Sequence, residues 1–284
     1  MANYTRIRVE PVAGSLGAEI HGVDLREPVD AATYLEIRQA LLDNLVIFFR
    51  DQDITPEQQI AFGKLFGDLH IHPFIPSLKD HKEIIVLRAN NGDNENLRLA
   101  NAWHEDLSYT YDPPLAGILR SVTCPERGGD TMWVNLYRAY DTLSDLMKEI
   151  LGGMSAWHDV TKTYRRQELQ QEGGGERYWQ TFKKTPPALH PIVGTHPETG
   201  RKLLYVSELT TTHIEGLKER ESRALLDMLF EHIDWKELHC RFYWRKNSIA
   251  MWDNRCTAHY AVGDYWTPRE MHRVTVIGRE FRQP

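Results

Sequence analysis

Arg241-Phe242-Tyr243-Trp244-Arg245 and, after two intervening residues, Ser248-Ile249-Ala250-Met251-Trp252 are short runs rich in aromatic and apolar residues. Such runs are typical of β-strands that pack in a core. Further runs of this kind predict strands at 45–49, 83–87, 116–124, 131–135, 203–206 and 272–278. Many short strands with helices to the side predict a mostly β fold with flanking helices and a double-stranded β-helix, or jelly-roll, core.

Helices are predicted in segments that separate these strands. Asp30 is a suitable N-cap for a first helix. Thr55-Pro56-Glu57-Gln58 has the form of a capping box with proline at the first helical position, for a helix that stops at Gly67. Apolar residues at helical spacing over 143–151 and 225–233 predict two more helices, the first of which ends at Gly152-Gly153.

Composition limits the class of protein. The chain has 284 residues, of which 41% are hydrophobic, and this is enough for a single domain over 1–284. The net charge is -6, and no basic run is long enough to bind a phosphate backbone, so no nucleic acid partner is expected. No signal peptide or apolar run of membrane-spanning length is present. Three scattered cysteines suit a reducing compartment, and we expect a cytoplasmic protein without membrane contact.

A polar stretch over 165–175 ends in three consecutive glycines at 173–175. This composition is typical of a mobile loop. It predicts a mobile lid near 160–185.

The strongest chemical signal is the segment Trp103-His104-Glu105-Asp106 together with His259, which lies 155 positions after His104. Residues two apart on an extended chain point to the same face, so His104 and Asp106 can bind one ion. Two imidazoles and one carboxylate form a facial triad, which holds Fe(II) and leaves positions open for a co-substrate and O2. The same donors also suit a catalytic zinc ion, so a zinc-dependent hydrolase is the alternative. A jelly-roll binding protein without turnover is the third interpretation.

Other pairs of a histidine and an acid two residues apart favour structural roles. Helical spacing places His232 on the solvated face of its helix. His196 and Glu198 lie in a turn marked by proline and glycine, where a carboxylate without a partner is expected at the surface. Cys256 and His259 have the spacing of half a zinc clip. No second pair completes such a clip, and a small buried thiol is the favoured interpretation of Cys256.

Arg269 and Arg273 are candidate anion-binding residues. On an extended chain they point to one face, separated by roughly 13 Å at about 3.3 Å per residue. A guanidinium binds a carboxylate or sulfonate through two parallel hydrogen bonds and stays charged. The pair can therefore bind two different anions. The alternative is that they form ordinary surface salt bridges.

Several segments together resemble the taurine dioxygenase and 2,4-dichlorophenoxyacetate dioxygenase family of Fe(II)/2-oxoglutarate oxygenases. The resemblance covers nearly the whole chain. The matching segments lie at 17–25, 66–73, 103–106, 128–131, 252–255, 259–261 and 271–273. They read GAEIHGVDL, FGDLHIHP, WHED, GGDT, WDNR, HYA and MHR.

The resemblance implies the cofactor Fe(II), the co-substrates 2-oxoglutarate and O2, and three groups of site residues. The residues implied for the metal are His104, Asp106 and His259. Those implied for the distal carboxylate of 2-oxoglutarate are Thr131 and Arg269. Those implied for a small anionic substrate are His72, Leu107 and Arg273. It also implies a homo-oligomer, either a dimer or a tetramer. Because Asp106 is present, hydroxylation is favoured over halogenation.

Two positions depart from the taurine enzymes. The polar residues that bind the substrate amine there align with Ile75 and Ala100. A buried ammonium without partners is costly. We therefore expect a substrate without an amine, such as an alkylsulfonate, a sulfate ester or an aryloxyalkanoate, while taurine stays open.

Overall fold

The computed structural model describes residues 4–73, 75–89, 101–163, 180 and 183–277. The strands found there are β1 (Arg8–Pro11), β2 (Ala18–His21), β3 (Val46–Phe49), β4 (Ser77–Leu78), β5 (His81–Ala89), β6 (Ala116–Thr123), β7 (Thr131–Asn135), β8 (Ser155–His158), β9 (Ala188–Pro191), β10 (Val193–Thr195), β11 (Lys202–Leu204), β12 (Thr211–Ile214), β13 (His239–Phe242), β14 (Ile249–Asp253), β15 (Thr257–Ala261) and β16 (Arg269–Val276). The helices are α1 (Ala31–Asn44), α2 (Pro56–Lys64), α3 (Leu136–Asp141), α4 (Asp145–Leu151) and α5 (Glu219–Ile233), with a 3-10 turn at Lys236–Leu238.

Two sheets form the core. Among the described residues, the larger sheet has eight strands in the order β1-β2-β3-β14-β6-β16-β5-β4, and the smaller has the order β13-β7-β15. Phe48 and Trp252 on the larger sheet meet Phe242 and Trp133 on the smaller one: the Phe48 and Phe242 rings stack at 4.0 Å, and Trp133 and Trp252 lie 5.9 Å apart. The mostly β, jelly-roll prediction is confirmed.

The outer face of the larger sheet is covered by α1 and α2. Ile37 and Leu41 of α1 and Phe62 of α2 are buried in the same apolar cluster as Phe49 and Val274 of the sheet. Phe49 and Phe62 meet edge to face at 5.7 Å. Because α1 and α2 cover the outer face of the larger sheet, only its inner face is available to a site.

The predicted helix starts are confirmed more closely than the helix ends. Asp30 caps α1 through the backbone amides of Ala32 and Thr33. The capping box of α2 is formed, since Gln58 N donates to Thr55 Oγ1 at 3.3 Å and Thr55 N donates to Gln58 Oε1 at 2.7 Å. This helix ends at Lys64, three residues before the predicted stop.

The predicted helix over 143–151 is only partly right. The structure begins α4 at Asp145, after the N-cap Ser144, and leaves Leu146 67% and Ile150 43% exposed. Leu143, which precedes α4, and Leu151 at its end are buried, and Met147 packs partly against the core.

Several strand boundaries differ from the prediction. The strand predicted over 241–245 is β13, which pairs with β7 only as far as Phe242. Trp244 leaves the sheet and is buried, with its Nε1 donating to Thr131 Oγ1 at 3.0 Å. The strand predicted over 203–206 ends at Leu204. That predicted over 272–278 begins earlier, at Arg269, and Gly278 lies outside the described residues.

Two interpretations from the sequence are wrong: that His232 lies on a solvated face, and that Glu198 has no partner. His232 is buried, and its Nε2 lies 2.8 Å from the carbonyl oxygen of Ala139, because α3 packs against that face of α5. His196 is also buried, 3.1 Å from Asp253 Oδ2, and Glu198 accepts a hydrogen bond from Arg255 at 2.7 Å. The turn that carries them folds onto the end of β14, which local sequence does not reveal.

In the described part of the chain, none of the helices has the length and apolar character needed to cross a membrane. The lid predicted near 160–185 lies mostly outside the described residues, as does Ala100.

Candidate active site

Backbone pairing brings the two histidines of the predicted triad together. His104 N donates to His259 O at 3.1 Å, and His259 N donates to His104 O at 2.8 Å. This isolated bridge joins the loop before the carboxylate to β15, and the two rings lie 4.1 Å apart. One antiparallel backbone bridge thus brings together two histidines that are 155 positions apart in the chain.

His104, Asp106 and His259 each direct one donor atom to a common point. These three atoms lie within 4.8 Å of one another, and Asp106 Oδ1 is 4.0 Å from His259 Nε2. The Nδ1 of His104 donates to the Ala102 carbonyl at 2.8 Å, so its Nε2 keeps the lone pair that a metal needs. The Oδ2 of Asp106 is buried without a hydrogen-bond partner among the described residues. The donor set and the orphaned oxygen both fit a divalent metal ion.

Burial controls the charges of this cluster. It lowers the pKa of His104, and it lowers the pKa of His259 well below its ordinary range, so both imidazoles are neutral. Burial alone would raise the pKa of Asp106, but the charge of the Arg273 guanidinium lowers it. The arrangement is two neutral nitrogen donors and one anion, which is the protonation state that metal binding requires.

Asn254 clamps the backbone of Asp106 from both sides. Its Oδ1 accepts from Asp106 N at 2.8 Å, and its Nδ2 donates to Asp106 O at 2.9 Å. The next residue, Leu107, has a φ of 55° in the left-handed region, which is strained for a leucine. The fully buried amide of Asn254 therefore fixes a turn that the chain would not adopt alone.

We expect Asn254→Ala to weaken Fe(II) binding by about 10- to 100-fold, the range for partners that orient a metal ligand. Competition with a chelator of known affinity measures this. Asn135→Ala is the matched control, because Asn135 is equally buried, caps α3 and lies outside the cavity. If both variants lose stability and neither loses metal affinity, the clamp is structural only.

A cavity of about 410 Å³ opens on the donor cluster. Residues predicted from the sequence to bind the metal, the co-substrate and the substrate all line it: His72, His104, Asp106, Leu107, Thr131, His259, Arg269 and Arg273. The remaining wall includes several apolar side chains, which are Ile75, Val86, Leu87, Leu119, Val160, Leu209 and Val262. The structure thus brings every predicted site residue to one place, while their individual roles stay predictions.

Arg273 lies at the metal side of this cavity. Its Nη1 donates to Asp106 Oδ1 at 2.5 Å, and its Nε is buried without a hydrogen-bond partner in the described ranges. Burial, followed by the charge of Arg273, lowers the pKa of His72 to about 4, so this imidazole is neutral. Its Nδ1 accepts from Ile75 N at 3.0 Å, and the proton is therefore on Nε2. Arg273 and the Nε2–H of His72 are both hydrogen-bond donors.

Arg269 and Thr131 form the other polar end. Arg269 is 8% exposed, and its Nε has no hydrogen-bond partner in the part of the chain that the structure describes. Burial lowers the pKa of Arg269, which is the electrostatic cost of a desolvated cation. Arginine stays charged in proteins, so this position favours an incoming anion.

A second group of donor atoms, from His196, Asp253 and Cys256, also lies within 4.8 Å. Both carboxylate oxygens of Asp253 already accept from Arg255, at 2.8 and 2.6 Å. This group is therefore a buried ion-pair network beneath the turn that carries Asn254. Cys256 is buried, as the sequence favoured, and its Sγ lies 3.8 Å from the backbone carbonyl oxygen of Asp253.

Sequence reasoning missed two residues of the site. Asn254 lies in the WDNR motif at 252–255, and its position just after a predicted strand and shortly before His259 is the signal that points to it. Tyr265 lines the cavity beside Arg269, and nothing in the local pattern distinguishes it from a loop tyrosine.

Comparisons with known proteins identify the family. The family model described as "Taurine catabolism dioxygenase TauD, TfdA family" matches residues 8–275. An alpha-ketoglutarate-dependent sulfate ester dioxygenase of Pseudomonas putida is 37% identical over 274 residues, which are 95% of this chain and 89% of the relative.

Solved structures give the same result. A taurine dioxygenase from Burkholderia xenovorans superposes with a TM-score of 0.82 at 37% identity, over 97% of this chain and 90% of that one. The structure of AAD-2 in complex with Mn(II) and N-oxalylglycine has a TM-score of 0.82 at 28% identity, over 97% of this chain and 99% of that one.

Proposed function

The chain belongs to the TauD, TfdA family of dioxygenases, and from this premise we propose that His104, Asp106 and His259 hold Fe(II) while the two arginines of β16 bind 2-oxoglutarate and the substrate. The enzyme is an Fe(II)/2-oxoglutarate-dependent dioxygenase that acts on a small anionic substrate. The observation that carries the residue assignment is the convergence of the three donor atoms within 4.8 Å at the cavity wall. The comparisons give no support to a zinc hydrolase.

The bound metal and its co-substrates supply the oxidising chemistry, in which 2-oxoglutarate becomes succinate and CO2 while the substrate gains a hydroxyl group. The protein supplies charge and orientation. Arg269 and Thr131 hold the distal carboxylate of 2-oxoglutarate, and Arg273 with His72 holds the anionic head of the substrate. Leu107 and the apolar wall position the rest of the substrate and exclude water. Fixing the substrate in this way selects the bond that is oxidised.

We propose a sulfate ester, alkylsulfonate or aryloxyalkanoate without an amine as the substrate. The position that offers a polar partner to an ammonium in taurine enzymes carries Ile75, which lines the cavity. The second such position, Ala100, lies outside the described residues. The apolar wall favours a hydrocarbon substituent over a cation, because an unpaired buried charge is costly.

A substrate screen tests this proposal. Alkyl sulfates, alkylsulfonates, aryloxyalkanoates and taurine are each added to the Fe(II) enzyme with 2-oxoglutarate, and succinate release is measured. We expect stimulation by an anion without an amine and little by taurine. Taurine as the best substrate would overturn the proposed substrate class. Absence of succinate and of the anaerobic Fe(II)/2-oxoglutarate absorption band would overturn the function itself.

Arg273→Ala should weaken the prime substrate and leave 2-oxoglutarate binding intact. Truncating one partner of a buried charge pair costs about 2 to 5 kcal/mol, so the substrate KM should rise by at least about 30-fold. Slow succinate formation without hydroxylation should continue. The measurement is the ratio of succinate to hydroxylated product. Equal loss of substrate and 2-oxoglutarate affinity would contradict separate anion pockets.

We further propose that residues 1–284 form one dioxygenase domain that assembles as a dimer or tetramer in the cytoplasm. Its three free cysteines support a reducing compartment. Light scattering of the purified protein measures the assembly, and a monomer at micromolar concentration would contradict it.

A further inference from the structure

Tyr265 is a buried phenol that the activity described so far does not use. It is 4% exposed and lines the cavity, and its hydroxyl has no acceptor among the described residues, although the Arg269 guanidinium lies beside its oxygen as a donor. The guanidinium carbon of Arg269 lies 5.8 Å from the centre of its ring. Two neighbouring side chains thus each carry a buried donor without an acceptor. Orphaned buried donors are costly, so they indicate a missing partner.

The backbone around Tyr265 is built to hold this position. Asp264 accepts from Gly129 N at 2.9 Å and pairs with Arg241 at 3.4 Å. Gly129 has a φ of 70°, and a Cβ there would lie 3.2 Å from the Tyr265 ring and 3.3 Å from Arg269 Cδ. The glycine therefore makes room for both side chains against one turn. That turn leads directly into β7 and its first residue, Thr131.

A carboxylate is the partner that satisfies both donors. A guanidinium and a phenol hydroxyl both donate, and a carboxylate offers two acceptor oxygens. Burial raises the pKa of Tyr265 although Arg269 opposes the rise, so the phenol keeps its proton. A cationic or purely apolar ligand would leave both donors unsatisfied beside a buried positive charge.

We propose that the Tyr265 hydroxyl is a further binding group for the distal carboxylate of 2-oxoglutarate, acting beside Arg269. The inference rests on the proposed function, since it assigns that carboxylate to the Arg269 end of the cavity. It adds selectivity: 2-oxo acids that lack a distal carboxylate leave this donor unsatisfied, and the enzyme discriminates against them.

Tyr265→Phe removes only the oxygen and tests the proposal. The Fe(II) enzyme is titrated anaerobically with 2-oxoglutarate, and binding is followed by the absorption band of the complex. We expect the Kd for 2-oxoglutarate to rise about 10- to 100-fold, the range for a hydrogen bond to a charged group. The Kd for pyruvate, which lacks the distal carboxylate, should change by less than about twofold.

Controls separate this inference from its premise. Tyr137→Phe deletes another buried phenol oxygen, which is hydrogen-bonded to Thr199 outside the cavity. This variant should leave the affinity for 2-oxoglutarate unchanged. Tyr265→Met is a second variant without the hydroxyl, should the first not fold, and melting temperatures check both. An unchanged Kd for 2-oxoglutarate, or equal losses for both acids, would overturn the inference. A wild-type protein without the band would overturn the proposed function instead.

Discussion

Asp106→Ala should reduce Fe(II) affinity by more than about 100-fold and abolish substrate-dependent succinate release. Outer-shell partners of a metal site alone contribute 10- to 100-fold, and Asp106 supplies the only negative charge among the three proposed ligands. The substitution also lowers the stability of the protein, because it leaves the buried guanidinium of Arg273 without Asp106 Oδ1, its hydrogen-bond acceptor at 2.5 Å. Equilibrium metal titration and succinate assays measure the two effects.

A double variant separates the loss of a metal ligand from the effect of an unpaired Arg273. Breaking a buried ion pair by removing one partner costs about 3 to 5 kcal/mol of stability, while removing both costs less. The metal-free Asp106→Ala protein should therefore be less stable than Asp106→Ala/Arg273→Ala in denaturant unfolding. Neither should recover metal binding. Wild-type Fe(II) affinity in Asp106→Ala would remove this residue from the metal site.

Arg269→Ala should raise the 2-oxoglutarate requirement by about 30- to 5,000-fold, which corresponds to the roughly 2 to 5 kcal/mol lost when a buried charged partner is truncated. The physical reason is that Arg269 is a desolvated cation whose Nε finds no acceptor among the described residues. The co-substrate KM and the anaerobic Kd measure the change.

Arg120→Ala is the matched control for this prediction. Arg120 lies on the neighbouring strand β6, is 8% exposed like Arg269, and does not line the cavity. Its removal should lower stability without changing the 2-oxoglutarate requirement. If Arg120→Ala and Arg269→Ala raise that requirement equally, the effect comes from disturbing the sheet. An unchanged requirement in Arg269→Ala would remove it from the co-substrate pocket.

Strand and helix identity could be predicted where the signal is local. The apolar run at 131–135 matches β7 residue for residue, and the capping box at Thr55 forms as the sequence indicates. Element ends were harder: the strand predicted over 241–245 ends at Phe242. Trp244 leaves the sheet because it finds a buried acceptor on β7, and such a partner is invisible to a pattern of neighbouring residues.

The features of the site also fall into those that local sequence predicts and those that depend on the tertiary structure. The sequence by itself determined the donor types, through the spacing of His104 and Asp106 and the four-residue spacing of the arginines. Only the tertiary structure decided that His232 and His196 are buried, that Asn254 holds both backbone groups of Asp106, and that the Tyr265 hydroxyl lies beside Arg269. Spacing along one strand fixes which side chains share a face, because backbone geometry repeats locally. Burial and hydrogen bonding join positions that are far apart in the chain, such as Asp106 and Asn254, 148 residues apart, so they follow from the packing of whole elements.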